Sequence, residues 1–386
     1  MPEPLHLERP RAQATATGSR VTARVAGSDV WFESPDLTLR PSIEGFVAAF
    51  LIPSLELRRP LVVAGHACPE FVANTRQVVE QAHQWRRSSR MLPSYGAALG
   101  AVPGGRTPRA ALFLSGGVAS FHSLLSSGRH VDDLVLVQGF DVPLTDARGA
   151  ASCDQLLREV AEATGTRAIL VRSNLRTHPV FRQVPWERGH GGALAAVGHV
   201  LADHVTAALI SSSHRRGRRG ARRSHWPLER SWSSASLRLE RVGAELTREQ
   251  QLSAIAQHPV VRQHLRVCGL HHRLGLNCSR CEKCLRTQLG LLGDGQLAHY
   301  RKFEGETTLA ERLDRLESVA DPVLFPIYQR MIARPMRPDV AAAGARLLER
   351  SRAARRTARR RKLFGRVSRA ARRVWPVWRG TAARHA

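Results

Sequence analysis

Four of the six cysteines fall within seventeen residues: Cys268, then Cys278, Cys281 and Cys284. The last three stand in two successive Cys-x-x-Cys steps, Asn277-Cys278-Ser279-Arg280-Cys281-Glu282-Lys283-Cys284, which put three thiolates on one tight turn. A fourth thiolate from the preceding segment completes a tetrahedral S₄ set, the geometry that zinc accepts most readily. With every position filled by sulfur such a site is closed, so the expected role of the metal is to staple a loop rather than to meet a substrate. The same residues admit two other readings, paired disulfides and an iron–sulfur cubane on four thiolates.

A second pattern is Ser115-Gly116-Gly117-Val118-Ala119-Ser120, placed directly after the apolar run Ala111–Leu114 and before a helical pattern. Glycines let backbone approach an anion closely, and free N–H groups, the hydroxyls of Ser115 and Ser120 and a positive helix end all favour phosphate. The loop carries no lysine of the Walker kind, and the bland alternative is an ordinary strand-to-helix turn. Asp141 follows the next apolar run, where a carboxylate suits a hard cation or a ribose hydroxyl, with a turn cap as its alternative. Asn174 and Arg176 follow the third run, where a polar pair can read an anionic or amide-bearing ligand. His190 and His225, expected in loops, and Trp186 and Trp232 beside them offer an acid–base group and a stacking wall, or simply packing. Cys68 and Cys153 are read as inert.

These residues need a scaffold, and the chain alternates strands and helices from about residue 110. Strands are expected at Ala111–Leu114, Leu134–Gln138, Ala168–Val171 and Ala207–Ile210, with helices at Val118–Ser127, Asp154–Thr164 and Gly191–His204 between them. That alternation predicts a doubly wound parallel sheet with helices on both faces and its ligand loops at one edge. Upstream, residues 1–18 read as disordered and 20–95 as a small α+β accessory domain, followed by a Pro/Gly-rich link. The nucleotide-binding domain is expected over 109–295 with the knuckle at 268–284. A helical segment follows over 296–349, then an Arg-rich tail over 350–386.

The formal charge is +27, yet 20 of those charges lie in two stretches, the tail and His214–Arg223. Only three lysines occur in the chain, which points to a bias toward arginine as much as to phosphate contacts. In the tail, Leu363, Val367, Ala370, Val374 and Trp378 recur at helical spacing beside Arg366, Arg369, Arg372 and Arg373. Such a stretch can lie on an anionic membrane or on an RNA backbone, or remain a solvated extension. No apolar run approaches the roughly 18 residues of a membrane span, and the first residues lack the apolar core of a signal peptide, so a cytoplasmic location is expected.

Taken together, the Ser-Gly-Gly loop and the four cysteines make the chain resemble PP-loop (ATP-pyrophosphatase) proteins over about residues 110–292, and among them the 7-cyano-7-deazaguanine synthases. That superfamily carries Ser-Gly-Gly-x-Asp-Ser after its first strand, matched here at Ser115, Gly116, Gly117 and Ser120. The deazaguanine branch has a four-cysteine zinc site, matched at Cys268, Cys278, Cys281 and Cys284. The phrases Gly139-Phe140-Asp141-Val142-Pro143-Leu144, Ser173-Asn174-Leu175-Arg176 and His190-Gly191 are similar to those of other PP-loop proteins with an N-terminal extension.

The resemblance implies a fold of the adenine nucleotide alpha-hydrolase (HUP-like) type and the cofactors ATP, Mg²⁺ and a structural Zn²⁺. It also implies an AMP-forming ligase or amidotransferase chemistry on a small carboxylate or carbonyl substrate. Ser115, Gly116, Gly117, Val118 and Ser120 would hold the pyrophosphate, Asn174 and Arg176 would join the nucleotide site, and Ser115, Ser120 and Asp141 would serve the reaction. Ala119 departs from the family pattern, which has aspartate there. Retained activity, a nucleotide-binding scaffold without turnover, and a tRNA-modifying protein that uses the basic segments are the three readings that follow.

Overall fold

The computed structural model describes residues 2–86, 88–95, 107–212, 227–268, 277–319, 321 and 323–374. His225, the Arg215–Arg223 run, Trp375 and Trp378 lie outside them. The chain forms two compact units, Met1–Asn277 and Cys278–Ala386.

The first unit is a mixed α/β structure around one sheet. Its strands are β1 (Leu5–Leu7), β2 (Arg11–Ala14), β3 (Ser19–Val25), β4 (Ser28–Ser34), β5 (Leu61–Val63), β6 (Ala110–Phe113), β7 (Asp133–Gln138), β8 (Arg167–Ser173), β9 (Ala207–Ser211) and β10 (Arg238–Val242). They lie in the order β10-β9-β6-β7-β8-β4-β3-β1-β5, with β2 paired to β3. The block from β10 to β8 is parallel throughout. Its strands are apolar on both faces, as in β7 with Leu134, Val135 and Leu136 all buried, which is the pattern of a sheet covered by helices on both sides.

Within the parallel block the order reverses between β6 and β9. Helices α3 (Val118–Ser126) and α4 (Ala147–Thr164) lead from β6 to β7 and from β7 to β8, while α5 (Trp186–Val200) leads back from β8 to β9. Right-handed crossovers put α3 and α4 on one face and α5 on the other, so a crevice opens at the carboxyl ends of β6 and β9. Helix α1 (Ile43–Leu57) packs along α5, and α2 (Pro69–Arg86) packs on α1. The close approach of α1 to α5 needs Gly192, where a Cβ would stand 2.2 Å from the Ala48 carbonyl oxygen.

The N-terminal segment departs from expectation in two ways. Residues 5–7 and 11–14 are strands, not a disordered lead, because β1 finds partners on both sides in β3 and β5 and buries Leu5 and Leu7. The strands of residues 19–34 do not close into a sheet of their own either. Strand β4 pairs antiparallel with β8, Phe32 opposite Ser173, so the sheet is continuous and is mixed rather than wholly parallel.

Polar anchors sit at the amino-terminal edge of the parallel block. Asp133 at the start of β7 is fully buried and accepts from Arg109 Nε at 3.1 Å, Arg109 Nη2 at 2.7 Å and Arg167 Nε at 2.7 Å.

The second unit consists of helices, α9 (Glu282–Gly293), α10 (Leu309–Arg315), α11 (Phe325–Ile332) and α12 (Pro338–Val374), packed on Leu285, Leu289, Leu313, Tyr328, Met331, Val340 and Leu347. Helix α12 runs past residue 350 without a break. Arginine and alanine are strong helix formers, and Gly365 is the one weak helix former before Pro376. Among the described residues no helix is long and apolar enough to cross a membrane.

Candidate functional site

Parallel strands share one carboxyl edge, and it collects most of the residues singled out by chemistry. From β6 the backbone turns through Gly116 at φ +74°, a left-handed conformation that favours glycine, and enters α3 at Gly117, whose N-cap position makes no side-chain cap bond. The first turn of α3 therefore keeps backbone N–H groups without a capping side chain. Ser115 is exposed, whereas Ser120 is 1 % exposed and its hydroxyl donates to the Gly117 carbonyl at 3.0 Å. The Ser115 and Ser120 hydroxyls lie 3.2 Å apart. Val118 is wholly buried, so it could offer a ligand its backbone but not its side chain, and Ala119 is partly buried.

Arg266 was not legible as part of this loop. It follows α8 (Pro259–His264), and its backbone N–H donates to the Gly116 carbonyl at 2.8 Å while its Nη1 reaches Cys153 Sγ at 2.6 Å. The Arg266 backbone thus braces the loop, while its guanidinium is directed to Cys153 in α4. Nothing in the local sequence around 266 signals this, because the contact depends on how the segment after α8 returns to β6.

At the ends of β7 and β8 a second group gathers. The Arg176 guanidinium donates to the Phe140 carbonyl and lies 5.0 Å from the Trp186 ring centroid. Trp186 stacks edgewise on Phe140 at 5.1 Å and on His190 at 5.3 Å. His190 is in the second turn of α5, not in a loop, because the helix begins at Trp186 directly after Pro185. Burial lowers the His190 imidazole pKa below its ordinary value; Arg176 adds to this, while Asp141 and Glu187 pull the other way. A neutral imidazole beside a stacked guanidinium and the exposed Asp141 carboxylate gives this edge a proton acceptor, a cation and an anion.

Asn174 has a different task. Its Oδ1 accepts from the Trp31 N–H at 2.9 Å and its Nδ2 donates to the Asp29 carbonyl at 3.0 Å, so the amide fastens β4 to the end of β8. Trp232 is likewise no pocket wall, being 1 % exposed with its carbonyl bound to His199 Nε2 at 2.8 Å.

Gly139, at the start of this edge, has φ +96°, and a Cβ there would fall 1.9 Å from the Ser173 carbonyl oxygen. Gly139→Ala is expected to cost more than about 2 kcal/mol, since neither backbone can yield without breaking the end of the β7–β8 ladder. Equilibrium denaturation in urea checks this, and a loss below that would mean the turn is freer than its geometry states.

Near the ends of β9 and β10 stands a buried acid that sequence reading missed. Glu229, in the short helix α6 (Pro227–Arg230), is 8 % exposed, and burial pushes its carboxyl up to about 7 although Arg241 Nε, 3.8 Å away, opposes the shift. A folded-state value above the unfolded one means that the folded protein holds a proton the unfolded chain has released. Stability is therefore expected to fall as pH rises from about 4.5 to 7, by about 3 kcal/mol, and to level off above. Glu229→Gln should flatten that window in unfolding curves taken at pH 5 and pH 8, and an unchanged slope would assign the effect elsewhere.

The four cysteine sulfurs Cys268, Cys278, Cys281 and Cys284 all lie within 4.8 Å of one another. The turn that carries three of them is set by Ser279, a non-glycine residue at φ +57° whose carbonyl accepts from Gln288 Nε2 at 3.2 Å and whose hydroxyl accepts from the Glu304 N–H at 2.8 Å. The Cys281 N–H points at Cys278 Sγ, 3.3 Å away, as a donor to a thiolate would. Asn277 shapes the approach of Cys268: its Oδ1 accepts from the N–H groups of Val267 at 2.8 Å and Cys268 at 3.2 Å.

None of the four cysteines is in a disulfide, which removes that reading. Cys278 and Cys284 sulfurs stand 3.8 Å apart. Two thiolates on one tetrahedral ion with bonds of about 2.3 Å are separated by roughly that distance. A cubane places each thiolate on a different iron and spreads them farther, so the cluster fits a single ion better. The arrangement is able to bind a metal ion, with no place left for a fifth ligand from substrate.

No family model matches the chain, and no curated protein or solved structure is detectably similar to it.

Proposed function

We propose that the chain is an ATP-dependent, AMP-forming enzyme of the PP-loop type, acting on a small carboxylate or carbonyl substrate. The observation that carries this reading is the Ser115–Ser120 turn, which leaves β6 next to the order reversal and opens α3 with an uncapped first turn. The strand order of the parallel block supports it, since nucleotide-binding sheets of the doubly wound kind bind their ligand at that crevice. In this reading the backbone of Gly116, Gly117 and Val118 and the exposed hydroxyl of Ser115 hold the β- and γ-phosphates, while Ser120, buried and donating to the Gly117 carbonyl, braces the turn. Arg266 braces that loop through its backbone N–H, and Asp141 serves Mg²⁺.

A substrate carboxylate oxygen attacks the α-phosphorus, the bond to the β-phosphate breaks, and pyrophosphate departs. An amine then attacks the acyl carbon, AMP leaves with the bonding electrons, and the spare proton of the amine passes to a neutral base such as His190. Asn174, occupied by backbone, takes no part. The cysteine cluster holds a structural Zn²⁺ that anchors the segment 277–284 and does no chemistry. The protein works in the cytoplasm.

Ala119 favours a second reading, a scaffold that binds nucleotide without turnover, because the family's aspartate is replaced by a methyl group. ATP–pyrophosphate exchange across a panel of small carboxylates, together with calorimetric ATP·Mg²⁺ binding, separates the two. Exchange by the native chain is the expected result. Binding without exchange, with exchange appearing in Ala119→Asp, would establish the scaffold instead, and no ATP binding at all would remove both.

A further inference from the structure

We infer that the C-terminal half of α12 is a docking element for an anionic lipid surface. The helix has two halves of different character. Its first turns are held in the second unit by Val340, Ala343, Leu347 and Leu348, and the last fully buried residue is Ser351, whose hydroxyl accepts from the Val319 N–H at 2.8 Å. Beyond it Ala354 and Arg355 are half-buried, with the Arg355 guanidinium 4.7 Å over the Phe325 ring, whereas Arg352, Ala353, Arg356, Thr357 and Ala358 are exposed, and the helix continues to Val374. A helical stretch that extends beyond its own packed end gains little from propensity alone. It calls for an outside surface to lie on.

The sequence of that half states what the surface is. From residue 350 to 374 there are twelve Arg and Lys and no Asp or Glu. Positions 359, 362, 366, 369 and 373, all Arg or Lys, follow the 3-4-3-4 spacing of a single helix face over about 21 Å. Leu363, Val367, Ala370 and Val374 follow the same spacing on a neighbouring face, roughly a quarter turn away. A cationic stripe alone would suit any polyanion. An apolar stripe running beside it suits a bilayer interface, where charges meet headgroups while apolar side chains enter the acyl boundary, and it has no counterpart on a nucleic-acid backbone. Trp375 and Trp378, which follow in the sequence, are of the type that settles at such interfaces.

Co-sedimentation of the full-length protein with vesicles tests this, using phosphatidylcholine alone and phosphatidylcholine mixed with phosphatidylglycerol. Binding is expected only to the anionic mixture, with a strong loss in high salt. The triple variant Arg359→Gln, Arg366→Gln, Arg373→Gln should lower partitioning roughly a hundredfold. Leu363→Gln with Val367→Gln, which keeps every charge, should also abolish most of it. Both variants lie past Ser351 and should leave urea unfolding unchanged. Equal binding to neutral vesicles, or full binding by the Leu363→Gln, Val367→Gln protein, would overturn the proposal. So would an RNA hairpin that displaces the protein from anionic vesicles and binds that double variant as tightly as the native chain.

Discussion

The native protein is expected to carry about one equivalent of zinc on its cysteine cluster, and replacing Cys284 by serine is expected to abolish that binding. Cys284 is fully buried and its sulfur stands 3.8 Å from that of Cys278. Losing one thiolate leaves three, at a position closed to solvent. Structural zinc in small finger peptides binds with about 10–16 kcal/mol, so even a fraction of that linkage should cost the second unit more than about 3 kcal/mol. Metal analysis after gel filtration and thermal unfolding with and without a chelator give the two readouts. Cys68→Ser, remote from the cluster in sequence, should keep both metal and stability. A chelator that removes the metal while leaving the unfolding curve in place would refute the structural role.

The second large effect is expected from Asp133→Ala. The carboxylate is inaccessible to water and is shared by two guanidiniums, and the Asp133 hydrogen bond holds the Arg109 pKa above its ordinary value. Breaking a buried pair by removing one partner costs about 3–5 kcal/mol when the remaining charge stays buried. Here Arg109 and Arg167 keep side-chain exposures of 37 % and 41 %, so the arginines left behind regain water. The loss should therefore fall at the lower end, about 3 kcal/mol in urea unfolding. Asp133 lies at the amino-terminal edge and the Ser115–Ser120 turn at the carboxyl edge. ATP affinity of the folded variant should accordingly match the native value, and a parallel loss of affinity would show that the two edges are not independent.

How far the sequence could be read depends on the range of the interactions involved. The β–α alternation after residue 110 is a local period, and so are the Ser-Gly-Gly turn and the cysteine spacing; the strands lie within two residues of their expected bounds, whereas α4 begins at Ala147 rather than Asp154 and α5 spans Trp186–Val200 rather than Gly191–His204. The continuous sheet was hidden because the pairing that makes it, Phe32 with Ser173, joins residues far apart in sequence, and either strand alone reads as an edge. Asn174 has the right residue type for a ligand contact, yet its amide is consumed by Asp29 and Trp31, partners that only the tertiary fold supplies. Arg266 and Glu229 escaped for the same reason in reverse. Their roles come from what stands next to them, a glycine carbonyl and a half-buried arginine, and their own neighbours in the chain give no hint.

The β4–β8 seam also sets an order of events for a chain emerging from the ribosome. Strands β3 and β4 and the apolar helix α1 are made first, but their partners β8 and α5 come well over a hundred residues later. Pairing over such a separation pays a large loop-closure entropy before it gains anything, and it slows folding. Until then Phe50, buried in the finished protein against His178 and Phe181, lacks both of those partners. The nascent N-terminal segment thus keeps apolar surface open to water until the sheet it completes has been synthesised.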